Sequence, residues 1–310
     1  MIRLDKSTLK YSKSKYINNI YKYSDILYSI FKQFKYIRIC KKQLNAKYYD
    51  KNKLLKYKSS DTIFIMGSGP SICELNNKHF KIISKHDSIG FGFWCVHDFK
   101  PTYYMMEFKY NPPEFKKVAE IIISNLLFKK EIYKNIPIIL HFGKNPYRDT
   151  LKGLNKFGKF FNNIYLPIFI GLGEKRINEF KTSLLLLKKF HLMQNRIIMF
   201  KKNSSLFRAL ILAYSLGYKK IVLCGFNLSG KYFYEIDKNK YNKKGMNLLE
   251  KKLFRSNHHR TNDPKHKTGG MVISDIIPVV YDTLLKPKSI KLLVGTNTSF
   301  FYPEFSLYEW

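Results

Sequence analysis

A glycine-rich turn is the part of the chain whose residue types and spacing point most directly to chemistry. It follows the apolar run Thr62–Met66 and consists of Gly67, Ser68, Gly69, Pro70 and Ser71. Glycines after a buried strand let the backbone approach a ligand closely, and the helix that follows offers N–H groups to an anion. Pro70 suits the first turn of a helix, and Ser71 adds a hydroxyl. The turn is therefore a predicted phosphate-binding site, although a tight turn without a ligand has the same composition.

Two more polar clusters lie between predicted strands and helices. The first, Lys202-Asn203-Ser204-Ser205, combines a cation, two hydroxyls and a helix N-terminus. That combination suits a phosphate, and it equally suits plain capping of a helix. The second follows the strand Ile221–Cys224, where open α/β sheets bind their ligands. A polar loop start without a ligand is its alternative. The candidate nucleotide-binding residues of the two clusters are Lys202, Ser204, Ser205, Gly225 and Asn227.

The stretch 229–268 is polar, charged and almost without periodicity. A loop of this length in a compact domain is usually a lid or is disordered. Two tyrosines, Tyr232 and Tyr234, stand near its start, and three of the eight histidines of the chain fall near its end: His258, His259 and His266. Histidines in exposed loops are more often solvated than catalytic, but the clustering of these three strengthens the case for a catalytic role.

Motifs for metal binding and serine hydrolysis are missing from the sequence. The nearest approach to a DxD metal–diphosphate motif is Glu235-Ile236-Asp237, and neither HExxH nor the P-loop GxxxxGK[ST] is present. No GxSxG motif marks a serine hydrolase. The four cysteines have no CxxC spacing and are expected to be buried free thiols. We therefore expect neither a metal nor a cofactor.

An alternation of strand and helix patterns begins at Asp61 and continues nearly to the C-terminus. Strands are predicted at 62–66, 87–91, 103–107, 136–142, 197–200, 221–224 and 290–294. Helices are predicted at 71–84, 114–128, 177–194, 204–216 and 270–285. This alternation predicts an α/β, Rossmann-like fold with a mostly parallel sheet and helices on both faces. The expected domain spans 61–310 and carries a lid at 229–268.

Residues 1–60 differ in composition from the rest of the chain. They contain neither Gly nor Pro, and apolar residues recur at helical spacing between Ile17 and Phe34, with lysines beside them. The segment is expected to form a basic amphipathic helical extension. It either packs onto the domain or lies on an anionic membrane surface with its aromatic side chains in the interface.

The charge balance is strongly basic, with 56 Lys plus Arg against 22 Asp plus Glu and a net charge of +34. Such a charge attracts polyanions, namely nucleic acid, anionic lipid or acidic glycans. Codon bias in an AT-rich genome would also raise the Lys content. No run approaches the ~18 apolar residues of a membrane span, and the start of the chain lacks a secretory signal. We expect a cytoplasmic protein, peripheral on the inner face of the plasma membrane.

The order of the motifs resembles one enzyme family, the bacterial sialyltransferases that use CMP-sialic acid (glycosyltransferase family 42). In that family a strand leads into a Gly-Asn-Gly-Pro-Ser turn. A later helix continues through Leu-Gly-Tyr-Lys and a strand to Ser-Gly-Ile-Asp. The corresponding segments here are Gly67–Ser71 and Leu216–Asn227. Tyr232, Tyr234 and His266 follow in the family's order, and the resemblance covers residues 61–305.

The resemblance implies a role for each matching residue. The turn Gly67–Ser71, with Ser204 and Ser205, would line the nucleotide, and Asn227 would stand where the family has an aspartate. Lys202 stands near the family's active-site arginine. Two tyrosines, Tyr232 and Tyr234, would donate hydrogen bonds to the departing phosphate, and His266 would be the general base. The implied reaction is an inverting, metal-independent transfer of an acidic sugar from a CMP-activated donor to a glycan such as lipooligosaccharide or capsule.

Two alternatives remain open. A pterin-diphosphokinase-like pyrophosphoryl transferase shares the Gly-Pro-Ser opening. A basic nucleic-acid-binding protein would fit the charge and the 16% aromatic content, but the charge is spread along the chain and no RRM, KH or helix-turn-helix signature appears. The partners expected of a glycosyltransferase are a nucleotide-sugar donor, a glycan or glycolipid acceptor and, in a homo-oligomer, further copies of the chain.

Overall fold

A computed structural model describes residues 44–108, 113–142, 157–172, 175–189, 198–202, 204–241 and 271–310, together with positions 31, 34, 37, 38 and 40–42. Asn203 and the histidines His258, His259 and His266 lie outside these residues. No helix within the described ranges is both long enough and apolar enough to cross a bilayer.

Eight strands form the main sheet, and each of their described pairings is parallel. They are β1 (Lys47–Tyr48), β2 (Thr62–Met66), β3 (Asp87–Phe91), β4 (Tyr103–Phe108), β5 (Ile138–Phe142), β6 (Ile164–Leu166), β9 (Lys220–Cys224) and β10 (Lys291–Val294). Their order in the sheet is β1-β6-β5-β4-β3-β2-β9-β10. The strands β7 (Ile168–Gly171) and β8 (Ile198–Lys201) pair with each other in a separate parallel sheet.

The helices alternate with the strands along the chain. They are α1 (Lys51–Leu55), α2 (Asn77–Ile83), α3 (Pro113–Phe128), α4 (Lys130–Tyr133), α5 (Ile177–Lys189), α6 (Ser205–Ser215), α7 (Phe233–Ile236), α8 (Lys238–Tyr241) and α9 (Ile273–Val280). Short 3-10 helices occupy Pro70–Glu74, Gly92–Val96 and Lys286–Lys288, and a π-helix continues α9 over Tyr281–Leu285.

Side chains of the central strands alternate between two buried cores. In β2, Ile63 and Ile65 enter the core on one face of the sheet, and Phe64 and Met66 enter the core on the other. Buried residues of α5, α6 and α9 belong to the first core, and buried residues of α3 belong to the second. Helices therefore cover both faces, and the predicted α/β, Rossmann-like fold with a parallel sheet is confirmed.

The direction in which the chain builds the sheet reverses at β2. From β2 the chain steps through β3, β4, β5 and β6 toward one edge, and it later places β9 and β10 on the other side of β2. The gap between β2 and β9 is thus the topological switch point, beyond whose carboxyl ends such sheets bind ligands. Since the strands are parallel, the segments after Met66 and Cys224 emerge there side by side.

Some element boundaries differ from the prediction for local reasons. The single helix expected at 71–84 is instead a 3-10 turn followed by α2, because the Asn76 side chain caps α2 by accepting from Lys78 N and His79 N. The strand expected from Ile136 begins at Ile138, because Pro137 has no N–H to donate to a neighbouring strand. The strands expected at 62–66 and 87–91 are found at those residues.

Part of the chain before Asp61 belongs to the same sheet and core. Strand β1 pairs with β6, which places Lys47 opposite Tyr165. Three apolar residues that precede β1 are buried: Ile37, Cys40 and Leu44. The described domain thus includes residues from before the expected boundary at Asp61, and these residues pack onto it. Residues 1–30 lie outside the described part, so their membrane role stays a prediction.

Candidate functional site

Two of the predicted turns meet at the switch point. The Gly67 N–H donates to the Cys224 carbonyl oxygen over 2.7 Å, and the Gly69 N–H donates to the Gly225 carbonyl oxygen over 2.8 Å. These bonds extend the pairing of β2 with β9 beyond the ends of both strands. The turn Gly67–Ser71 and the loop after β9 therefore form one surface at the carboxyl edge of the sheet.

The contact between these turns explains the glycines. A Cβ atom on Gly67 would overlap the Gly225 carbonyl oxygen, and one on Gly69 would lie 2.7 Å from the same oxygen. Gly225 has φ of +78°, a left-handed conformation that favours glycine. The sequence pattern attributed the glycines of the turn to close approach by a ligand. In the structure, close packing against the backbone of the β9 loop already requires them.

The Asn227 side chain joins three segments of the carboxyl edge. Its Oδ1 accepts from the Ser71 N–H at 3.1 Å and from the Ser71 hydroxyl at 2.7 Å. Its Nδ2 donates to the Thr298 carbonyl oxygen at 2.8 Å, in the loop after β10. The next residue, Leu228, has φ of 56°, a left-handed conformation uncommon for a branched side chain. Asn227 thus fixes the shape of the predicted nucleotide site, and Ser71 is engaged by the protein itself.

The second predicted cluster lies at the N-terminus of α6, which also faces the carboxyl edge. Ser204 is the N-cap, and its side chain accepts from Leu206 N, so this residue has the capping role that was one of the two interpretations of the cluster. Ser205 Oγ accepts from Arg208 Nη2 at 2.8 Å, which leaves the hydroxyl proton of Ser205 to be donated to another group. Lys202 is 3% exposed, and its ammonium lies 5.6 Å from the centroid of the Phe180 ring. The predicted contact of Lys202 with the nucleotide would therefore be made by a buried side chain.

A charged cluster beside α6 was not predicted as a unit. Glu107 and His141 are opposite each other in the register of β4 and β5. Arg208 Nη2 donates to Glu107 Oε2 at 3.1 Å, and Arg208 Nη1 lies 2.5 Å from His141 Nδ1. His141 Nδ1 also lies 3.1 Å from Glu107 Oε1, so the guanidinium and the carboxylate both contact this ring nitrogen. The cluster ties the first turn of α6 to the ends of β4 and β5.

The two candidate tyrosines lie next to the glycine turn. The N–H of Phe233, which stands between them, donates to the Ser68 carbonyl oxygen at 3.0 Å. The rings of Tyr232 and Tyr234 stack at 5.3 Å with an angle of 7° between their planes. Tyr234 is 5% exposed, and burial raises the pKa of its hydroxyl well above the usual value. Its hydroxyl has no hydrogen-bond partner within the part of the chain that the structure describes.

Other predicted features lie away from this edge or outside the described residues. Tyr218 of the Leu-Gly-Tyr-Lys motif precedes β9, and its hydroxyl donates to Asp87 Oδ2 at 2.8 Å at the amino end of the sheet. The predicted base His266 is not among the described residues. Over the ranges that the structure covers, no group of three His, Cys, Asp or Glu side chains could hold a metal ion. Cys40, Cys95 and Cys224 are buried free thiols as predicted, whereas Cys73 is exposed.

The chain was compared with known proteins by sequence and by structure. No protein-family model and no curated protein matches it. Among solved structures it is similar to the monofunctional alpha-2,3-sialyltransferase Cst-I from Campylobacter jejuni, with 18% identity, 80% of each chain covered and a TM-score of 0.44. It is also similar to an alpha-2,3-sialyltransferase from the same organism in its apo form, with 18% identity, 81% of this chain and 80% of that chain covered, and a TM-score of 0.41.

Proposed function

We propose that the protein is a sialyltransferase-like glycosyltransferase that binds a CMP-activated acidic sugar at the switch point between β2 and β9. The observation that carries the proposal is the meeting of two sequence motifs at that point. Ser71 and Asn227 are 156 residues apart in the sequence, yet Asn227 Oδ1 accepts hydrogen bonds from the N–H and the hydroxyl of Ser71. These are the two motifs on which the resemblance to CMP-sialic acid transferases depends.

The residues around this point would divide the work of an inverting displacement. The acceptor hydroxyl oxygen attacks the anomeric carbon while the bond from that carbon to the CMP phosphate breaks. The general base, His266 by resemblance, takes the acceptor proton, which suits a side chain with a pKa near neutrality. Tyr232 and Tyr234 would donate to the departing phosphate, and hydroxyls of Ser204 and Ser205 would meet the nucleotide at the N-terminus of α6. This division of roles needs no metal ion.

The place of action proposed for the enzyme follows from its basic character. A cytoplasmic enzyme, peripheral on the inner face of the plasma membrane, would meet a lipooligosaccharide or capsule acceptor during its synthesis. The net charge of +34 supports binding to an anionic surface.

A CMP-release assay tests the proposed reaction. The full chain is incubated with CMP-sialic acid, UDP-linked and GDP-linked sugars, each with a mixture of glycan acceptors and with EDTA present. We expect acceptor-dependent release of CMP and none of UDP or GDP. Release of UDP or GDP alone would reject the CMP donor. Activity that disappears with EDTA and returns with Mg²⁺ would reject metal independence.

Pyrophosphoryl transfer is the second candidate, because a pterin diphosphokinase would use the same Gly-Pro-Ser turn. Incubation with ATP and a hydroxymethyl pterin separates the two reactions, since only this reaction yields AMP. We expect no AMP. Formation of AMP without CMP release would replace the glycosyltransferase proposal.

A further inference from the structure

An apolar corner at the amino end of the sheet is exposed to solvent. Phe128 at the end of α3 is 65% exposed, Ile132 in α4 is 37% exposed, and Phe160 before β6 is 42% exposed. Lys130, which lies in α4 with Ile132, brings the two segments together, because its ammonium lies 5.3 Å from the centroid of the Phe160 ring. Large apolar side chains that cluster on a surface usually mark a binding face.

The segments that carry the corner are hydrogen-bonded to neighbouring elements of the domain. Lys129, between Phe128 and Lys130 in the sequence, has a buried side chain. Its ammonium donates to the carbonyl oxygens of Val96 at 3.2 Å and His97 at 2.8 Å and to Asp98 Oδ1 at 2.8 Å. On the other side, Phe157 and Phe161 flank Phe160 and are buried. Asn163 Nδ2 donates to the Asn135 carbonyl oxygen at 3.2 Å, which joins the two sides of the corner.

The charged residues of the corner are mainly basic. Lys130, Lys134 and Lys159 are exposed, and Glu131 pairs with Lys134 at 2.5 Å. A Cβ atom on Gly158 would lie 2.7 Å from the Cα of Leu44, and Lys41 and Lys42, which are helical and exposed, come shortly before Leu44 in the chain. These five lysines and one glutamate give a net charge of +4. Aromatic side chains among lysines are the composition that docks on an anionic lipid interface.

We propose that this corner, defined by Phe128, Ile132, Phe160, Lys130, Lys134 and Lys159, is a docking surface for anionic lipid. The inference rests on the membrane association proposed above, and it is independent of the nucleotide chemistry. The corner precedes β5 and β6, so it lies at the opposite end of the strands from the switch point, roughly 17 Å away along a five-residue strand. Docking there leaves the nucleotide site facing away from the lipid.

Vesicle co-sedimentation of the full chain tests the surface. The protein is mixed with vesicles of phosphatidylcholine alone, or of phosphatidylcholine with phosphatidylglycerol, at low and high salt. The triple variant Phe128→Ser, Ile132→Ser, Phe160→Ser should bind the anionic vesicles at least about tenfold more weakly than the wild type. Lys130→Gln and Lys159→Gln should each weaken binding about fivefold at low salt and less at high salt.

The matched control is Leu185→Ser with Leu186→Ser, two apolar residues of α5 that are 47% and 43% exposed. Control and wild type should bind alike, and acceptor-dependent CMP release with a soluble acceptor should be the same in all variants. Equal vesicle binding by the corner variant and the control would overturn the proposal. So would a corner variant that turns a dimer into a monomer while its vesicle binding is unchanged, because the surface would then join two copies of the chain. If the wild type binds vesicles through the corner but releases no CMP, the proposed enzymatic activity is wrong and the docking surface is still supported.

Discussion

Removing the hydroxyls of Tyr232 and Tyr234 one at a time tests whether they donate hydrogen bonds to the departing phosphate. The buried hydroxyl of Tyr234 has no hydrogen-bond partner among the described residues, which costs stability unless a ligand accepts a hydrogen bond from it. We expect Tyr234→Phe to raise the free energy of unfolding by about 1 kcal/mol and to lower kcat by ~10²–10³-fold. Urea unfolding and initial rates of CMP release, measured on the same preparation, give both values.

Tyr232→Phe separates the two tyrosines, and Tyr302→Phe, a change at an exposed tyrosine, is the control. Tyr232→Phe should lower kcat to a similar extent without the gain in stability, and Tyr302→Phe should change neither quantity. A stabilised Tyr234→Phe variant with full activity would show that the Tyr234 hydroxyl does not take part in transfer.

At the residue scale, sequence patterns predicted those candidate-site residues that lie in local motifs. The turn Gly67–Ser71 and Asn227 could be found because a glycine turn and a polar residue after a strand are patterns within a few positions. The cluster of Glu107, His141 and Arg208 could not, because it depends on the register between β4 and β5 and on which helix covers them. No spacing in the sequence encodes those two facts.

At the element scale, the ring of His97 contacts four short elements, which are the 3-10 helix Gly92–Val96 and the helices α2, α7 and α8. Its ring stacks on Trp94 at 4.4 Å and lies 4.8 Å from the ring of Phe80, 5.7 Å from Phe233 and 5.4 Å from Tyr241. Burial lowers the pKa of His97 to about 3, and the neighbouring charges of Lys240 and Lys129 act in the same direction. The neutral ring is therefore part of how α2, α7 and α8 pack together.

The depressed pKa of His97 predicts acid sensitivity. The unfolded chain binds a proton on this histidine near pH 6.5, but the folded chain does so only near pH 3. Stability should therefore be full above pH 6.5 and fall by about 1.4 kcal/mol per pH unit below it. His97→Asn keeps an acceptor for the Phe99 N–H and removes the titration. Urea unfolding at pH 7, 5.5 and 4.5 should show the gap between wild type and variant narrowing as the pH falls. Parallel curves would contradict the expectation.

The elements that sequence patterns predicted well are those with long apolar runs between turn residues, such as β2 and β9. The missed strands lack that pattern. Strand β1 has only two residues, and Pro167 divides one apolar run into β6 and β7, which belong to different sheets. Proline cannot donate to a neighbouring strand, so the chain leaves the main sheet at that point. Which sheet β7 joins is decided by its partner β8, which lies 27 residues or more away.

At the scale of the whole molecule, the two ends of the sheet would have different tasks. The carboxyl edge carries the turn Gly67–Ser71, Asn227 and the N-terminus of α6, which is the proposed nucleotide site. The amino end carries the basic apolar corner around Phe128 and Phe160, which is the proposed lipid-docking surface. Strands of five or six residues separate the two, so each surface can be changed by mutation without direct contact with the other.

The measurement that tests the central claim most directly is the affinity of the folded protein for CMP, determined by calorimetry on the wild type, Asn227→Ala and Asn162→Ala. Asn227→Ala removes the bonds that hold the Ser71 turn and the Thr298 loop together. Asn162→Ala changes an exposed asparagine at the opposite end of the sheet. Circular dichroism at the same temperature establishes that each variant is folded. We predict that CMP binds the wild type and Asn162→Ala equally and binds Asn227→Ala at least about tenfold more weakly, a loss of about 1.4 kcal/mol. Undiminished CMP affinity in folded Asn227→Ala would place the nucleotide elsewhere and contradict the site at the switch point.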